Sequence, residues 1–140
     1  MAQNWIKSWG YGARGRRIRD DWQNESHGLL MSAVTFGPSR RPGLGTGDGV
    51  LYYAAGWRLL FAAGTVSSYA YWFESDGYTS WPWRVNVQLD DAYTREFIHE
   101  GVPLDVLNVA GRNFGNLMKR RSHMTLSDAE WQAGLDALCR

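Results

Sequence analysis

The side chains with the most chemical character in this chain are eight tryptophans and three clusters of positive charge. The clusters are Arg14, Arg16, Arg17 and Arg19, then Arg40 and Arg41, then Lys119, Arg120 and Arg121. Net charge is only +1, so the protein is no general polyanion binder. Clustered cations beside an excess of tryptophan point instead to local contact with nucleic acid. Cationic groups meet phosphates there, and indole faces stack on bases. Taken singly, each cluster reads equally as the solvated face of an ordinary domain.

Catalytic constellations are missing from the pattern. His27, His99 and His123 are scattered, with no pair at metal-ligand spacing. There is no Gly-x-Ser-x-Gly and no Cys-His arrangement. Gly43-x-Gly45-x-Gly47 is not followed by a phosphate-binding helix, so it reads as a flexible loop. Asp90-Asp91 reads as a helix cap rather than an acid/base pair. The expectation is therefore a binding protein, not an enzyme, with no cofactor and no metal. Cys139 is the single cysteine, which excludes an intrachain disulfide and suggests a cytoplasmic protein. No apolar run approaches the length of a membrane span, so no membrane partner is expected.

The elements that must position these residues belong to one domain spanning residues 1–140. Its centre is Gly47 to Ser67, two apolar runs broken at Gly56, which predict a hairpin. Both runs are apolar on nearly every residue, as in strands covered on both faces or closed into a small barrel. Asn4–Trp9 predicts a first strand, 13–22 a short helix, and 28–34 a further strand. Residues 35–49, with two prolines and five glycines, predict a loop. Ser67 to Ser80 holds Tyr69, Tyr71, Trp72, Phe73 and Tyr78 in what reads as an aromatic loop. Arg84–Leu89 then alternates, with Val85, Val87 and Leu89 toward the core. Asp90 predicts the cap of a short helix through Ile98, and 102–109 a second one. Ser127 with Glu130 predicts a capping box opening a final helix striped by Trp131, Leu135 and Leu138. Trp5, Trp83 and Trp131 are assigned to the core and Trp57, at the hairpin turn, to an exposed position.

Gly47-Asp48 before an apolar strand, with the second strand ending Ala63-Gly64-Thr65-Val66, resembles the core of EVE domains. These belong with YTH readers to the PUA-like superfamily of small barrels. The order of strand, basic helix, strand, glycine loop, hairpin, aromatic loop, polar strand and C-terminal helix resembles that layout over nearly the whole chain. Ile6-Lys7-Ser8 resembles the Ile-Lys-Ser that ends the first strand of YTH domains. The resemblance puts Trp22 at one cage tryptophan and Trp72 near the other, with Trp81 competing for that wall. It likens Arg121 to an arginine that holds a phosphate, with Lys119 and Arg120 beside it. The fold implied is α+β: a small curved sheet or pseudo-barrel of five or six strands, PUA-like, flanked by short helices.

A base taken out of its stack must regain that stacking, and tryptophan faces suit this well. Stacking contributes about 1–3 kcal/mol per base, and a methyl between rings about 1 kcal/mol. Discrimination then needs a polar group on the base edge, for which Ser8 and Gln23 are candidates, with Trp9 at the floor or rim. The function expected is recognition of a modified base, methylation foremost, in DNA or RNA, with a fused or associated effector left open. Trp22 reads equally as the residue that closes its helix onto the barrel. The alternatives are a relative of ASCH-type hydrolases acting on modified nucleosides and a protein-interaction module using its aromatic surface.

Overall fold

The computed structural model describes residues 2–9, 17–21, 32–73 and 81–139. The apolar hairpin is its centre. Asn4–Trp9 (β1), Ala33–Phe36 (β2), Gly49–Ala54 (β3) and Leu59–Val66 (β4) are the first four strands, and β3 pairs antiparallel with β4. All six residues of β3 are buried, because alternate side chains of this run face two separate cores. Val50, Tyr52 and Ala54 enter an inner core with Trp9, Phe36, Phe61 and Val85. Leu51 and Tyr53 enter an outer core with Ile6, Leu60, Leu107, Phe114 and Leu138. Each large side chain buried in this way contributes about 1.5–3 kcal/mol.

Four further strands complete the sheet: Tyr71–Trp72 (β5), Trp83–Leu89 (β6), Val102–Pro103 (β7) and His123–Leu126 (β8). The path runs β2-β6-β4-β3-β1-β8, with β5 added to β6 and β7 to β4. Every pairing is antiparallel except β1 with β3. Beyond the expected five or six strands, the surplus is the two-residue pieces β5 and β7. The sheet curls into a half-barrel in an α+β fold. A register shift between Tyr52 and Tyr53 increases local twist. At Gly64 a Cβ would lie 2.5 Å from Val87 Cγ1 and 2.7 Å from the Gln88 carbonyl oxygen, so β4 meets β6 closely only through glycine. In the turn of the hairpin the left-handed residue is Arg58, at φ 57°, rather than Gly56.

The helices are short: Ile18–Asp21 (α1), Phe114–Leu117 (α2) and Asp128–Leu138 (α3). The expected capping box forms, with Ser127 Oγ accepting from Glu130 N and Glu130 Oε1 accepting from Ser127 N. Glu130 is also held by Arg112, whose Nε donates to Oε2 at 2.9 Å. That hydrogen bond keeps the buried carboxyl far below its usual range, at about 2. Gly134 lets α3 lie against Leu51, where a Cβ would meet Cδ1 at 2.6 Å.

Several boundaries differ from the sequence expectation. Asp90 caps only a 3₁₀ turn, Asp91–Tyr93, which ends when Thr94 turns extended and its hydroxyl donates back to the Asp90 carbonyl. Ile98–Glu100 and Leu104–Leu107 are further 3₁₀ turns. The strand expected at 28–34 overlaps β2, Ala33–Phe36, which runs past Val34; residues 28–31 lie outside the described residues. Trp57 packs against the inner core instead of standing exposed. The glycine loop before β3 is anchored by Asp48, which accepts from Gln3 N, Trp5 Nε1 and Gly45 N at 3.0–3.1 Å.

Candidate functional site

Strand β1 carries the chemistry. Its alternation sends Trp5, Lys7 and Trp9 to the inner side and Ile6 to the outer core. A lysine thus sits on an apolar face, 5% exposed. Its Nζ donates to the Ser8 carbonyl at 2.8 Å and lies 5.3 Å from the Phe36 ring centroid and 5.8 Å from that of Trp9. Among the described residues no carboxylate lies within ion-pair distance of it. Burial disfavours the ammonium and brings its pKa from 10.5 down to about 8. A desolvated lysine over two aromatic faces, with no counter-ion, is costly for stability alone.

Opposite Lys7 across the β1–β8 ladder stands His123. Its ring meets Phe36 edge-on at 4.7 Å and Trp5 at 5.8 Å. Its Nδ1 is 2.6 Å from Ser122 Oγ. Burial first, and then the charge of Lys7, lower the His123 pKa, so the imidazole is neutral at pH 7. Trp9 stacks on Tyr52 at 5.7 Å and 15°. Its indole Nε1 is buried and finds no acceptor among the described residues.

The aromatic compartment continues to the surface. Phe36 is in register with Trp83, and Trp83 with Trp72. Trp72 meets Trp83 edge-on at 5.3 Å. Trp72 is 48% exposed, and Tyr69, Phe73 and Trp81 (50%) are further exposed rings. The Arg84 guanidinium lies 4.1 Å from the Phe73 centroid. Such an exposed aromatic group exceeds the isolated apolar residue that a surface ordinarily tolerates.

Ser8 is half-buried at the end of β1, and its N–H donates to the Ser122 carbonyl at 2.7 Å. That bond holds Ser122, which follows the exposed run Lys119, Arg120 and Arg121 in the chain, against the end of β1. Trp9 is buried, at 7% exposure. Trp72, against Trp83, and Trp81 are both exposed. Trp22 and Gln23 lie outside the described residues, as do Arg14 and Arg16. Arg17 pairs with Glu96 at 3.2 Å and Arg19 with Asp91, so those two cations are matched by acids. Phe36 and His123 are not singled out by the sequence as binding residues, and Lys7 enters there only within Ile6-Lys7-Ser8. The available signal was Lys7 itself, between Trp5 and Trp9 at period two on a strand whose inward face should be apolar.

Among the described residues no three of His, Cys, Asp and Glu are grouped to hold a metal, and no helix is long and apolar enough to cross a membrane. The class of protein defined here is a small α+β fold built on a curled, mostly antiparallel half-barrel. No protein-family model and no curated protein matches the chain. Solved structures do match it. The NMR structure of Rpa0253 from Rhodopseudomonas palustris has a TM-score of 0.56 at 13% identity, covering 98% of this chain and 93% of that one. The crystal structure of Atu2648 from Agrobacterium tumefaciens has a TM-score of 0.59 at 10% identity, covering 96% and 92%. A hypothetical protein from Leishmania major has a TM-score of 0.55 at 13% identity, covering 97% and 94%. At these identities the likeness is one of fold.

Proposed function

We propose that this protein binds nucleic acid and reads a modified base held at the Lys7-Ser8-Trp9 end of β1, as the resemblance to EVE and YTH domains implies. The observation that carries the reading is Lys7, a buried cation walled by Trp9 and Phe36 with no carboxylate partner among the described residues. A planar, polarisable ligand with electronegative atoms on its edge suits that environment. The Ser8–Ser122 hydrogen bond ties the end of β1 to the residue that follows Lys119, Arg120 and Arg121, which supports phosphate contact by that run next to base contact. In this division of labour the exposed cations supply salt-sensitive attraction and the aromatic compartment supplies discrimination. Trp72 and Trp81 are the outer stacking surfaces, and Trp22 and Gln23 complete the proposed cage. The test is titration of single- and double-stranded oligonucleotides, with and without one methylated base of each kind (adenine, cytosine, guanine, or thymine or uracil), across a salt series. Binding that weakens with salt and prefers one modified base is expected. Salt-independent binding, or equal affinity for all bases, overturns the reading, and turnover of a modified nucleoside would put a hydrolase in its place.

A further inference from the structure

Two hydrogen-bond donors in the inner compartment lack the acceptors that burial normally demands. Lys7 has three N–H donors and no acceptor. One reaches the Ser8 carbonyl, and the Phe36 and Trp9 rings take up part of its charge without offering a conventional acceptor. Trp9 Nε1, a donor only, is the second, buried with no acceptor among the described residues. The two side chains lie on the same face of β1, with Nζ over the Trp9 ring at 5.8 Å from its centroid. Among the described residues the other titratable groups around them bring no acid. His123 faces Lys7 from β8, neutral and engaged with Ser122. Tyr52 faces Trp9 from β3, with its pKa raised by burial.

We infer that Lys7 and Trp9 form a donor-only edge that selects a keto base, one of the guanine, thymine or uracil type, over an amino base. This rests on the nucleic-acid reading and specifies its ligand. Guanine, thymine and uracil carry an exocyclic carbonyl oxygen where adenine and cytosine carry an amino group. The oxygen accepts from the buried donors, whereas an amino group sets donor against donor and leaves the Trp9 N–H and the remaining Lys7 N–H groups unsatisfied. Sites built to satisfy a ligand polar group reject analogues lacking it strongly, because the site's own groups are then left unpaired.

The experiment uses short single-stranded oligonucleotides, identical except for one central adenine, cytosine, guanine, thymine or hypoxanthine. Guanine, thymine and hypoxanthine should bind roughly 10-fold or more tighter than adenine and cytosine, the scale of one good base-edge contact. The adenine–hypoxanthine pair is decisive, since the two differ in that amino-to-keto exchange. Lys7→Met should abolish the preference while leaving the salt dependence in place. Trp9→Phe, which keeps a stacking ring and removes the indole N–H, should reduce it. Melting of both variants separates lost fold from lost contact. Tight binding that ignores the central base, or favours the amino bases, overturns the edge assignment alone. A preference retained in both variants, each folded, does the same. Failure of all five oligonucleotides to bind overturns the nucleic-acid reading and the edge assignment with it.

Discussion

Replacing Lys7 by methionine should make the protein more stable, and by an amount that depends on pH. In the folded chain burial holds the lysine pKa at about 8, against 10.5 for the same group in water. At about 1.4 kcal/mol per pH unit, that depression corresponds to about 3 kcal/mol. The sign follows from proton counting. Between about pH 8 and 10.5 the unfolded chain binds more protons at this site than the folded one, so stability rises with pH across that window. Below about 8 both states are protonated, and the folded state carries the whole cost of burying the charge. Lys7→Met has no such cost and keeps most of the apolar volume over Phe36 and Trp9. Near pH 7 it should therefore exceed the parent by up to about 3 kcal/mol, or roughly 10 °C in Tm for a chain of this size. Above about 10.5 the two proteins should converge. Paired urea melts at both pH values measure the difference, and groups that titrate identically in both proteins cancel. A variant that is less stable than the parent at neutral pH, or a gap that does not change with pH, refutes the argument.

Three other outcomes follow from particular contacts. Glu130→Gln should destabilise by about 2 kcal/mol at neutral pH, after allowance for the half-exposed Arg112 partner. Because the folded carboxyl titrates at about 2 rather than 4.5, that difference should shrink as pH falls through this interval, which acid titrations of both proteins by circular dichroism will follow. Gly64→Ala should cost about 1–3 kcal/mol in a denaturant melt, since its methyl would press on Val87 and the Gln88 carbonyl. Arg121→Ala should reduce the log–log salt slope of oligonucleotide binding by about one and weaken modified and unmodified strands alike; an unchanged slope returns that run to an ordinary solvated surface.

Local features of this chain were legible because their causes are local. The capping box at Ser127 and Glu130 follows from two residues three apart, and the inward set Val85 and Val87 from period-two alternation. The unbroken apolar runs of the hairpin implied two covered faces, and β3 has them. Short helices were less legible. Asp90 was correctly a cap, but the length of what it caps depends on Thr94 and on the segment's packing against α3 and β4. A cap marks where a helix starts and says nothing of where tertiary contacts end it.

The site divides along the same line. From sequence alone came the candidates whose residue type speaks for itself: the tryptophans, the basic run before β8, and the Ile6-Lys7-Ser8 strand end. Their relation to one another came only from the tertiary structure. His123 stands opposite Lys7 because β8, more than a hundred residues later, pairs with β1. Phe36 reaches both because the curl brings the β2 edge toward the β1–β8 edge. Asp48 ties the glycine loop to Gln3 and Trp5 for the same reason. Hydrophobic pattern dictates which face of a strand is buried, since that depends on neighbours one and two residues away. Which strands become neighbours, and therefore which charge loses its water, is decided by pairings distant in sequence, and the lowered pKa of Lys7 is the consequence of that closure.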